Sequence, residues 1–326
     1  MIHENHANLL ERPEHRHLYD SPDIDSFFLM DSVLVTGAGG SIGSAIVNRL
    51  GLANLDKIVA VGHGEDSIFQ LINSPEANSW NAEVEPVIDD AASDRILERI
   101  RGRKFSTVFH TAAHKHVGLM ESNPRVAFDN NVRTTLRLAQ ACAESGTLFV
   151  FISTDKAVNP TTIMGASKRL AEAIVLSEFP STSVVCRFGN VLGSAGSIVE
   201  IIRQKKARKE PVEVRRGMQR FFITAREAVG LVLTAAQSKG MFTLDMGRPV
   251  DILSLVERMN AQVTLTNPLP SEKFVEEIHT REERVVPHSV DGVLKILFRT
   301  YPLITKAAII SAEEHPEDMV AIARRV

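Results

Sequence analysis

Apolar and polar positions alternate along the chain in short β-branched runs that are separated by longer helical patterns. The apolar run at 32–36 predicts a buried strand, and the segment 41–51 predicts the helix that follows it. Further strands are predicted at 57–62, 84–88, 106–110, 147–153 and 182–188, and further helices at 123–145 and 162–178. Strands and helices that alternate in this way predict an α/β fold, a doubly wound parallel sheet of the Rossmann type with helices on both faces.

This rhythm breaks after residue 190, where helices are predicted at 198–209 and 226–238 and a strand at 242–246. The remainder is rich in helical patterns and contains a proline-bearing connection at 267–273. The pattern predicts a smaller, discontinuous C-terminal substrate lobe. The expected division is a polar N-terminal tail at 1–30, a Rossmann domain at 31–188 to which 222–246 returns, and a substrate lobe made of 189–221 and 247–326.

The composition is that of a globular protein with a substantial core, since 44% of the 326 residues are hydrophobic. The net charge of −3 gives no general attraction to nucleic acid or to an anionic membrane surface. Neither a membrane-spanning apolar run nor a signal-peptide pattern is visible, and Cys142 and Cys186 lie in apolar stretches. Reduced thiols and a cytoplasmic location are therefore expected. The histidines of the first thirty residues repeat no ligand spacing, so no metal site is predicted.

A glycine-rich turn, TGAGGSIG, follows the first predicted strand and opens the first predicted helix. Gly37 permits the tight turn, Gly40 lets backbone N–H groups approach a pyrophosphate, and Gly43 lets the helix press against the sheet. Ser41 and Ile42 begin the helix, whose N-terminus attracts negative charge. Between a strand and a helix, this spacing predicts a dinucleotide site.

The end of the second predicted strand bears on the choice between NAD and NADP. An acidic residue at that end normally binds the ribose 2′-hydroxyl and is typical of NAD. Gly62 and His63 occupy this position, and Glu65 follows slightly later. The missing acid and the nearby histidine slightly favour NADP, and NAD stays open. Asp90, at the end of the third strand, is predicted to bind the adenine amino group.

Several collinear stretches, which together span about two-thirds of the chain, carry a family likeness. The chain resembles the extended short-chain dehydrogenase/reductases, and within them the nucleotide-sugar 4,6-dehydratases of polysaccharide biosynthesis that act on UDP-N-acetylglucosamine. The matching stretches are VLVTGAGGSIGS, HTAAHKHVGLMESNP, NNV, ISTDKAVNPTTIMGASKR, RFGNVLGSAGS, RFFIT and LDMGRPV. The chain departs from the family's RPGEK-like segment, which reads Leu269-Pro270-Ser271-Glu272-Lys273.

A methionine occupies the position of the proton-transferring tyrosine in this superfamily, as in the branch that the chain most resembles. Met164 and Lys168 keep the four-residue spacing that places both on one helical face, so Lys168 is expected to bind the nicotinamide ribose. Losing a general base typically costs about 10²–10⁴-fold in rate. The only tyrosines, Tyr19 and Tyr301, lie in the predicted tail and in the C-terminal lobe, so neither is an obvious substitute.

The resemblance assigns proton transfer to two adjacent residues. It implies that Asp155 is the acid for the departing C6 hydroxyl and Lys156 the base for the C5 proton, with Ser153 and Thr154 hydrogen-bonding the C4 oxygen. Neighbours on a strand point to opposite faces, so both can reach one sugar only if the chain leaves strand geometry near Ser153. An exposed turn with an incidental ion pair is the alternative.

The remaining candidates are side chains expected near the cofactor ribose or the substrate. Ala112 and Ala113 are predicted to let the ribose approach closely. Arg187, Asn190 and Arg220 are predicted to meet the nucleotide or its diphosphate, because arginine forms bidentate contacts with phosphate. Ordinary ion pairs are the alternative for the arginines. Substrate contacts are also predicted for Lys115 and Asn131, and a structural role for Asn131 stays open.

The function predicted from these features is redox-neutral dehydration of a UDP-N-acetylhexosamine to a 4-keto-6-deoxy sugar nucleotide with tightly bound NAD or NADP. The alternatives are a nucleotide-sugar epimerase or other dehydratase that shares the C4 oxidation, and a catalytically silent NAD(P)-binding sensor. By the resemblance, the chain is expected to form homo-oligomers through the helices at 123–145 and 162–178.

Overall fold

The computed structural model describes residues 7–102, 105–267, 273–298 and 304–326. The strands are β1 Ser32–Thr36, β2 Lys57–Gly62, β3 Glu83–Ile88, β4 Thr107–His110, β5 Leu148–Thr154, β6 Ser183–Phe188, β7 Asn190–Val191, β8 Val212–Arg215, β9 Gln219–Arg220, β10 Phe222–Ile223, β11 Gly240–Leu244, β12 Val250–Asp251, β13 Val263–Thr266, β14 Glu283–Pro287 and β15 Val293–Phe298. The helices are α1 Arg16–Tyr19, α2 Pro22–Phe27, α3 Ser41–Gly51, α4 Glu65–Ile72, α5 Asp94–Arg101, α6 Val117–Glu121, α7 Pro124–Ala127, α8 Thr134–Ser145, α9 Ile163–Glu178, α10 Ile198–Ala207, α11 Ala225–Ala235, α12 Ile252–Arg258, α13 Lys306–Glu314 and α14 Met319–Ala323.

A nine-stranded sheet forms the centre of the fold, in the order β14-β15-β11-β6-β5-β4-β1-β2-β3. The seven strands from β11 to β3 are parallel, whereas β14 and β15 add an antiparallel hairpin at one edge. Helices cover both faces, so the predicted doubly wound Rossmann sheet is confirmed. The hairpin corrects the expected boundaries, because 283–298 was assigned to the substrate lobe and instead extends the sheet.

Alternate residues of the central strands enter different cores, as the two-residue period of a strand requires. In β1, Val33 and Val35 belong to the core on one face, whereas Leu34 belongs to the core on the other. Helices α3 and α11 contribute to the first core, and α5, α8 and α9 to the second. Most strand residues between the two layers are therefore apolar, and several of the buried polar ones, such as Thr36, His110 and Ser153, lie at or near the carboxyl ends of their strands.

The expected polar tail is folded against the body from Ala7 onward. Leu18, Ile24 and Phe28 are fully buried in the core that also contains α11. Arg12 forms an ion pair of 2.6 Å with the buried Glu227 of α11. The expectation of a tail up to residue 30 is therefore wrong for this segment. Its buried apolar residues are too widely spaced to show a helical period, yet Leu18, Ile24 and Phe28 each fill a site on the body.

One of the two helices that were expected to meet a second subunit, α9, is covered by the chain itself. Residues 163–176 of α9 are all buried. A core on this side combines α7 and α9 with C-terminal residues such as Ala312, Met319 and Ala323. Helices α13 and α14 therefore occupy the surface on which pairing was predicted, and the predicted oligomer has no access to α9. Homo-oligomerisation itself stays a prediction.

A smaller layer of short elements lies beside the carboxyl ends of the sheet strands. The pairs β8–β13, β9–β12 and β7–β10 form it together with α10 and α12. Val199, Ile202, Val212, Leu255 and Val256 are the centre of its own apolar core. Within the described ranges, no helix combines the length and the apolar character that a membrane span requires.

Candidate active site

A cavity of about 840 Å³ lies between the carboxyl ends of the central strands and the smaller layer. Residues from several segments line it, among them Gly40, Ser41 and Ile42; Thr111, His114 and Lys115; Ser153, Thr154 and Lys156; Lys168; and Asn190, Glu213, Arg215 and Arg220. Carboxyl ends of parallel strands are where doubly wound folds bind ligands. Residues that bind the cofactor or the substrate are therefore expected to line this cavity.

The glycine-rich turn between β1 and α3 forms one wall of the cavity. Gly37 has φ +65°, and a Cβ there would collide with the backbone of Ala112, while a Cβ at Gly43 would collide with the carbonyl oxygen of Gly37. Gly40 caps α3, and none of the described side chains caps its first turn. The N–H groups at 41 and 42 therefore open onto the cavity at a helix N-terminus, which fits a diphosphate.

Two residues that were predicted to touch the cofactor lie at the neighbouring strand ends. His63 follows β2, and Asp90 follows β3; both are exposed and neither lines the cavity. Asp90 accepts a hydrogen bond of 2.8 Å from the backbone of Ala92 through Oδ1. Ala113 lines the cavity, whereas Ala112 packs against Gly37 beneath it.

The chain leaves strand geometry where β5 ends, at Thr154. A 3₁₀ turn at Asp155–Ala157 follows directly, and the Lys156 N–H donates to Thr154 Oγ1 at its start. This bend brings two adjacent side chains together: Lys156 Nζ lies 3.0 Å from Asp155 Oδ1 and 3.2 Å from Asn190 Oδ1. We call residues 155–158 the catalytic turn, after the roles predicted for Asp155 and Lys156. The Asp155 carboxyl group and Lys156 Nζ meet on one side of the chain.

Lys156 lines the cavity, whereas Asp155 is fully buried next to it. Asp155 Oδ1 also accepts a hydrogen bond of 3.0 Å from Thr154 Oγ1. Its Oδ2 has no hydrogen-bond partner within the described ranges. A buried carboxylate oxygen without a partner is costly, which is typical of a group held for a chemical role. Thr154 and Lys156 connect it to the cavity.

Met164 and Lys168 lie one turn apart on α9, and both line the cavity. Lys168 Nζ lies 4.0 Å from the centroid of the Phe151 ring. Burial lowers the pKa of Lys168 to about 7, although Glu172 opposes this shift. Ser153 also lines the cavity, and its Oγ lacks a partner in the described part of the chain.

Lys115 and the loop 194–197 close the cavity near the glycine-rich turn. Lys115 Nζ donates to the carbonyl oxygen of Ala195 at 2.6 Å, and the Ala195 N–H donates to Ser41 Oγ at 3.0 Å. Burial lowers the pKa of Lys115, and Glu200 partly opposes this. The loop thus joins the smaller layer to the start of α3. Ser41 acquires a contact that its position in the turn did not predict.

Two predicted substrate residues have structural roles, which corrects those predictions. Arg187 is fully buried and pairs with Glu172 and Glu283 at 2.7 Å each. Burial alone would lower the pKa of Arg187, but the two carboxylates hold it above its ordinary value. Asn131 is 1% exposed and bonds the backbone of His114 and the hydroxyl of Ser167. Neither side chain lines the cavity.

Arg220 and Asn190 line the cavity, and nucleotide contacts stay a prediction for both. Arg220 is 14% exposed in its side chain and lies 3.8 Å from Glu276 Oε1 through Nε. Neither Glu276 nor Lys273 was predicted from the sequence. Lys273 belongs to the altered LPSEK segment, of which 269–272 lie outside the described residues, as does Tyr301. The only signals of this pair in the sequence were Lys273, which the altered segment retains, and the acidic Glu276 three residues later.

The family described as "Polysaccharide biosynthesis protein" matches residues 33–297. The chain is 41% identical over 273 residues to the capsular polysaccharide biosynthesis protein CapD of Staphylococcus aureus, which covers 77% of this chain and 45% of CapD. It is 30% identical over 219 residues to a UDP-N-acetylglucosamine 4,6-dehydratase (inverting) of Campylobacter jejuni, 64% of each protein. The chain spans about half the length of curated relatives such as CapD.

A solved structure, that of Pen from Bacillus thuringiensis, is similar to this chain with a TM-score of 0.73 and 28% identity. The match covers 86% of this chain and 89% of Pen. The likeness therefore covers most of this fold.

Proposed function

The chain belongs to the polysaccharide biosynthesis protein family, and we propose that it is an NAD(P)-dependent nucleotide-sugar 4,6-dehydratase. The observation that carries this proposal is the contact of 3.0 Å between Lys156 Nζ and Asp155 Oδ1 at the end of β5. Dehydration of a hexose needs a base for the C5 proton and an acid for the C6 hydroxyl. An acid and a base in contact beside a large cavity supply both.

A bound NAD(P) would supply a reversible hydride acceptor, which makes the overall reaction redox-neutral. The open first turn of α3 and Lys168 are the groups that would hold its diphosphate and its ribose. Ser153 and Thr154 would hydrogen-bond the C4 oxygen of the sugar. Once C4 is a ketone, the C5 proton is acidic enough for an amine to remove.

The C4 oxidation releases the proton of the C4 hydroxyl, and Thr154 Oγ1, 3.0 Å from Asp155 Oδ1, would pass this proton to Asp155. The contact between Lys156 Nζ and Asp155 Oδ1 holds the amine beside this carboxyl. The neutral amine would then take the C5 proton, and the protonated carboxyl would give its proton to the C6 oxygen, which leaves as water. Lys156 would return its proton to C5 as the hydride returns to C6, so the pair ends in its starting state. Asn190, 3.2 Å from Nζ, orients the amine.

The finer assignments within this proposal are the sugar and the cofactor. A UDP-N-acetylhexosamine is the proposed substrate, because the relative of C. jejuni is named for UDP-N-acetylglucosamine. NADP is slightly favoured over NAD, since His63 follows β2 where an acidic residue would bind a 2′-hydroxyl. Arg220 and Asn190 are the proposed contacts for the nucleotide part, and Lys115 is proposed beside them.

The test is incubation of the purified protein with UDP-N-acetylglucosamine and each dinucleotide, followed by mass spectrometry. Loss of one water from the sugar nucleotide, without accumulation of reduced cofactor, is the expected result. An unchanged mass with an altered sugar configuration would indicate an epimerase that shares the C4 oxidation. Binding of the dinucleotide without turnover of any UDP- or dTDP-sugar would favour a silent sensor.

A further inference from the structure

A short segment at 273–276 touches both the catalytic turn and the wall of the cavity that belongs to the smaller layer. Lys273 Nζ donates to the carbonyl oxygen of Val158, the last residue of the catalytic turn. One residue later, the carbonyl oxygen of Phe274 accepts from the Gln219 N–H at 2.8 Å and from Arg220 Nη1 at 3.2 Å. This segment is thus a direct physical link between the catalytic turn and β9.

Charged side chains follow the same path. Arg220 Nε lies 3.8 Å from Glu276 Oε1, and Glu276 Oε2 lies 3.8 Å from Lys273 Nζ. Both distances are longer than a hydrogen bond, so these charged groups attract each other without being hydrogen-bonded. Three alternating charges therefore lead from a cavity-lining guanidinium to the backbone of the catalytic turn.

Glu276, the middle member of this series, has one carboxylate oxygen without a hydrogen bond in the described residues. Glu276 is 6% exposed, and its Oε2 has no hydrogen-bond partner in the segments that the structure describes. A buried carboxylate oxygen in this state costs free energy that a shorter contact would recover. An anion that pairs with Arg220 weakens the electrostatic attraction between Arg220 and Glu276. The most favourable contact left to the Glu276 carboxylate is then a shorter ion pair with Lys273.

Lys273 also lies within the electrostatic field of the catalytic pair. Burial lowers the pKa of Lys273, and Lys156 acts in the same direction. Glu276, Glu277 and Asp155 act in the opposite direction. A change in the position of the Lys273 ammonium is therefore felt at the acid and the base, as well as at the Val158 carbonyl.

We propose that Lys273 and Glu276 are positioning residues that fix the catalytic turn when the substrate's diphosphate pairs with Arg220. This inference rests on the proposed function for the identity of the anion. The distance between Lys273 Nζ and the Glu276 carboxylate would shorten as the diphosphate binds. Lys273, bonded to the Val158 carbonyl, would then hold the catalytic turn so that Lys156 faces the sugar. Chemistry would then proceed only when the nucleotide part is in place.

Kinetics with UDP-N-acetylglucosamine test the positioning role. Lys273→Met should lower kcat by about tenfold to a hundredfold, the usual effect of a small displacement of catalytic groups, with KM nearly unchanged. Lys273→Arg should restore most of kcat, because it keeps a charged donor. Glu282→Gln is the control, since Glu282 is exposed a few residues further along the chain and should leave kcat intact. A higher KM with unchanged kcat in Lys273→Met would overturn the proposal. An equal loss of kcat in Lys273→Met and Lys273→Arg would also overturn it.

Hydrogen exchange at residues 155–158, with UDP alone as the probe, tests the coupling without any turnover. UDP should slow exchange in the wild-type protein and have little effect in Glu276→Gln, whose fold is checked by thermal unfolding. An absence of protection in the wild-type protein, whether or not UDP binds, would refute the coupling. A wild-type protein that shows protection but never dehydrates the sugar would refute the proposed function and leave this inference standing.

Discussion

Met164 leaves Lys168 as the ionisable side chain of α9 in the cavity wall. A thioether cannot exchange protons near neutral pH, so the proposed mechanism assigns the proton transfers to the neighbouring catalytic turn. There, Lys156 faces the cavity and Asp155 stands fully buried beside it. A missing tyrosine therefore does not by itself mean a missing acid or base, because the pair at the end of β5 is independent of α9.

Substitution of the catalytic pair is expected to abolish turnover. Asp155→Asn keeps the shape and an acceptor oxygen but removes the acid, and Lys156→Ala removes the base. Each should lower kcat by about 10²–10⁴-fold, the usual contribution of general acid–base catalysis. Dinucleotide affinity, measured by calorimetry, should stay nearly unchanged, because neither side chain belongs to the glycine-rich turn. Full activity in both variants would show that the proton-transfer assignment is wrong.

Lys168 is expected to make the free protein less stable at neutral than at alkaline pH. Its pKa is about 7 in the folded protein because of burial, below its ordinary value of 10.5. Between these values the unfolded chain binds the extra proton, so the free energy of unfolding rises with pH across this window. Below pH 7, Lys168 is protonated in both the folded and the unfolded protein, so its destabilising effect no longer changes with pH.

Lys168→Met should therefore stabilise the protein at pH 7 by about 3–5 kcal/mol, and this gain should shrink towards pH 10.5. Urea unfolding at several pH values, without added dinucleotide, measures the difference. Lys239→Met is the control, because Lys239 is exposed and its substitution should give no such trend. A gain that is constant from pH 7 to pH 10 would contradict the assigned cause.

Side chains whose partners come from distant segments were the ones that sequence reasoning misjudged. Arg187 lies within the buried strand β6, and no nearby residue indicates its partner Glu283, which lies 96 residues away. A lone arginine near a predicted cleft is chemically equally suited to a phosphate. Lys156 was different, because its partner is its neighbour in the chain and only a bend was needed to bring them together.

Individual strands and helices were predicted well where one repeat dominates. The predicted bounds 32–36, 41–51 and 57–62 agree with β1, α3 and β2. The segment 123–145 instead contains α7, a π-helical stretch at Phe128–Arg133, and α8. A π-helix has no distinct apolar period, so a continuous helical pattern conceals it. Asn131 lies in this stretch, which turns its amide towards His114 and Ser167.

Gly165 fixes the distance between α9 and the catalytic turn. A Cβ at this position would collide with the carbonyl oxygen of Lys156, so Gly165→Ala must displace the turn or the helix. Overpacking of this kind costs about 1–3 kcal/mol of stability, and displacement of Lys156 should lower kcat by about a hundredfold. Thermal unfolding and turnover measure the two effects.

Gly118→Ala provides the matched control for stability. Gly118 is helical, and a Cβ there meets no described atom within 4 Å, so alanine should stabilise the protein by up to about 1 kcal/mol. If Gly165→Ala behaved like Gly118→Ala, the close approach of α9 to the catalytic turn would not control the site.

The way in which the ends of the chain return to the body was the least predictable feature. Residues 7–30 fill one core, and residues 304–326 fill another beside α9. Both segments are short, so their docking depends on surfaces that the rest of the fold creates. The parallel sheet could be predicted because each strand carries its own signal, whereas these contacts exist only in the assembled molecule.

The C-terminal helices are expected to contribute substantially to stability through their contact with α9. Met319 is fully buried in the core that contains Met164 and Leu170, whereas Ile310 of α13 is 52% exposed. Met319→Ala should destabilise the protein by about 2–5 kcal/mol, and Ile310→Ala by less than about 0.5 kcal/mol. Urea unfolding of both variants measures the difference. Equal effects would mean that α14 does not pack on α9, and the face of α9 would again be free for a second subunit.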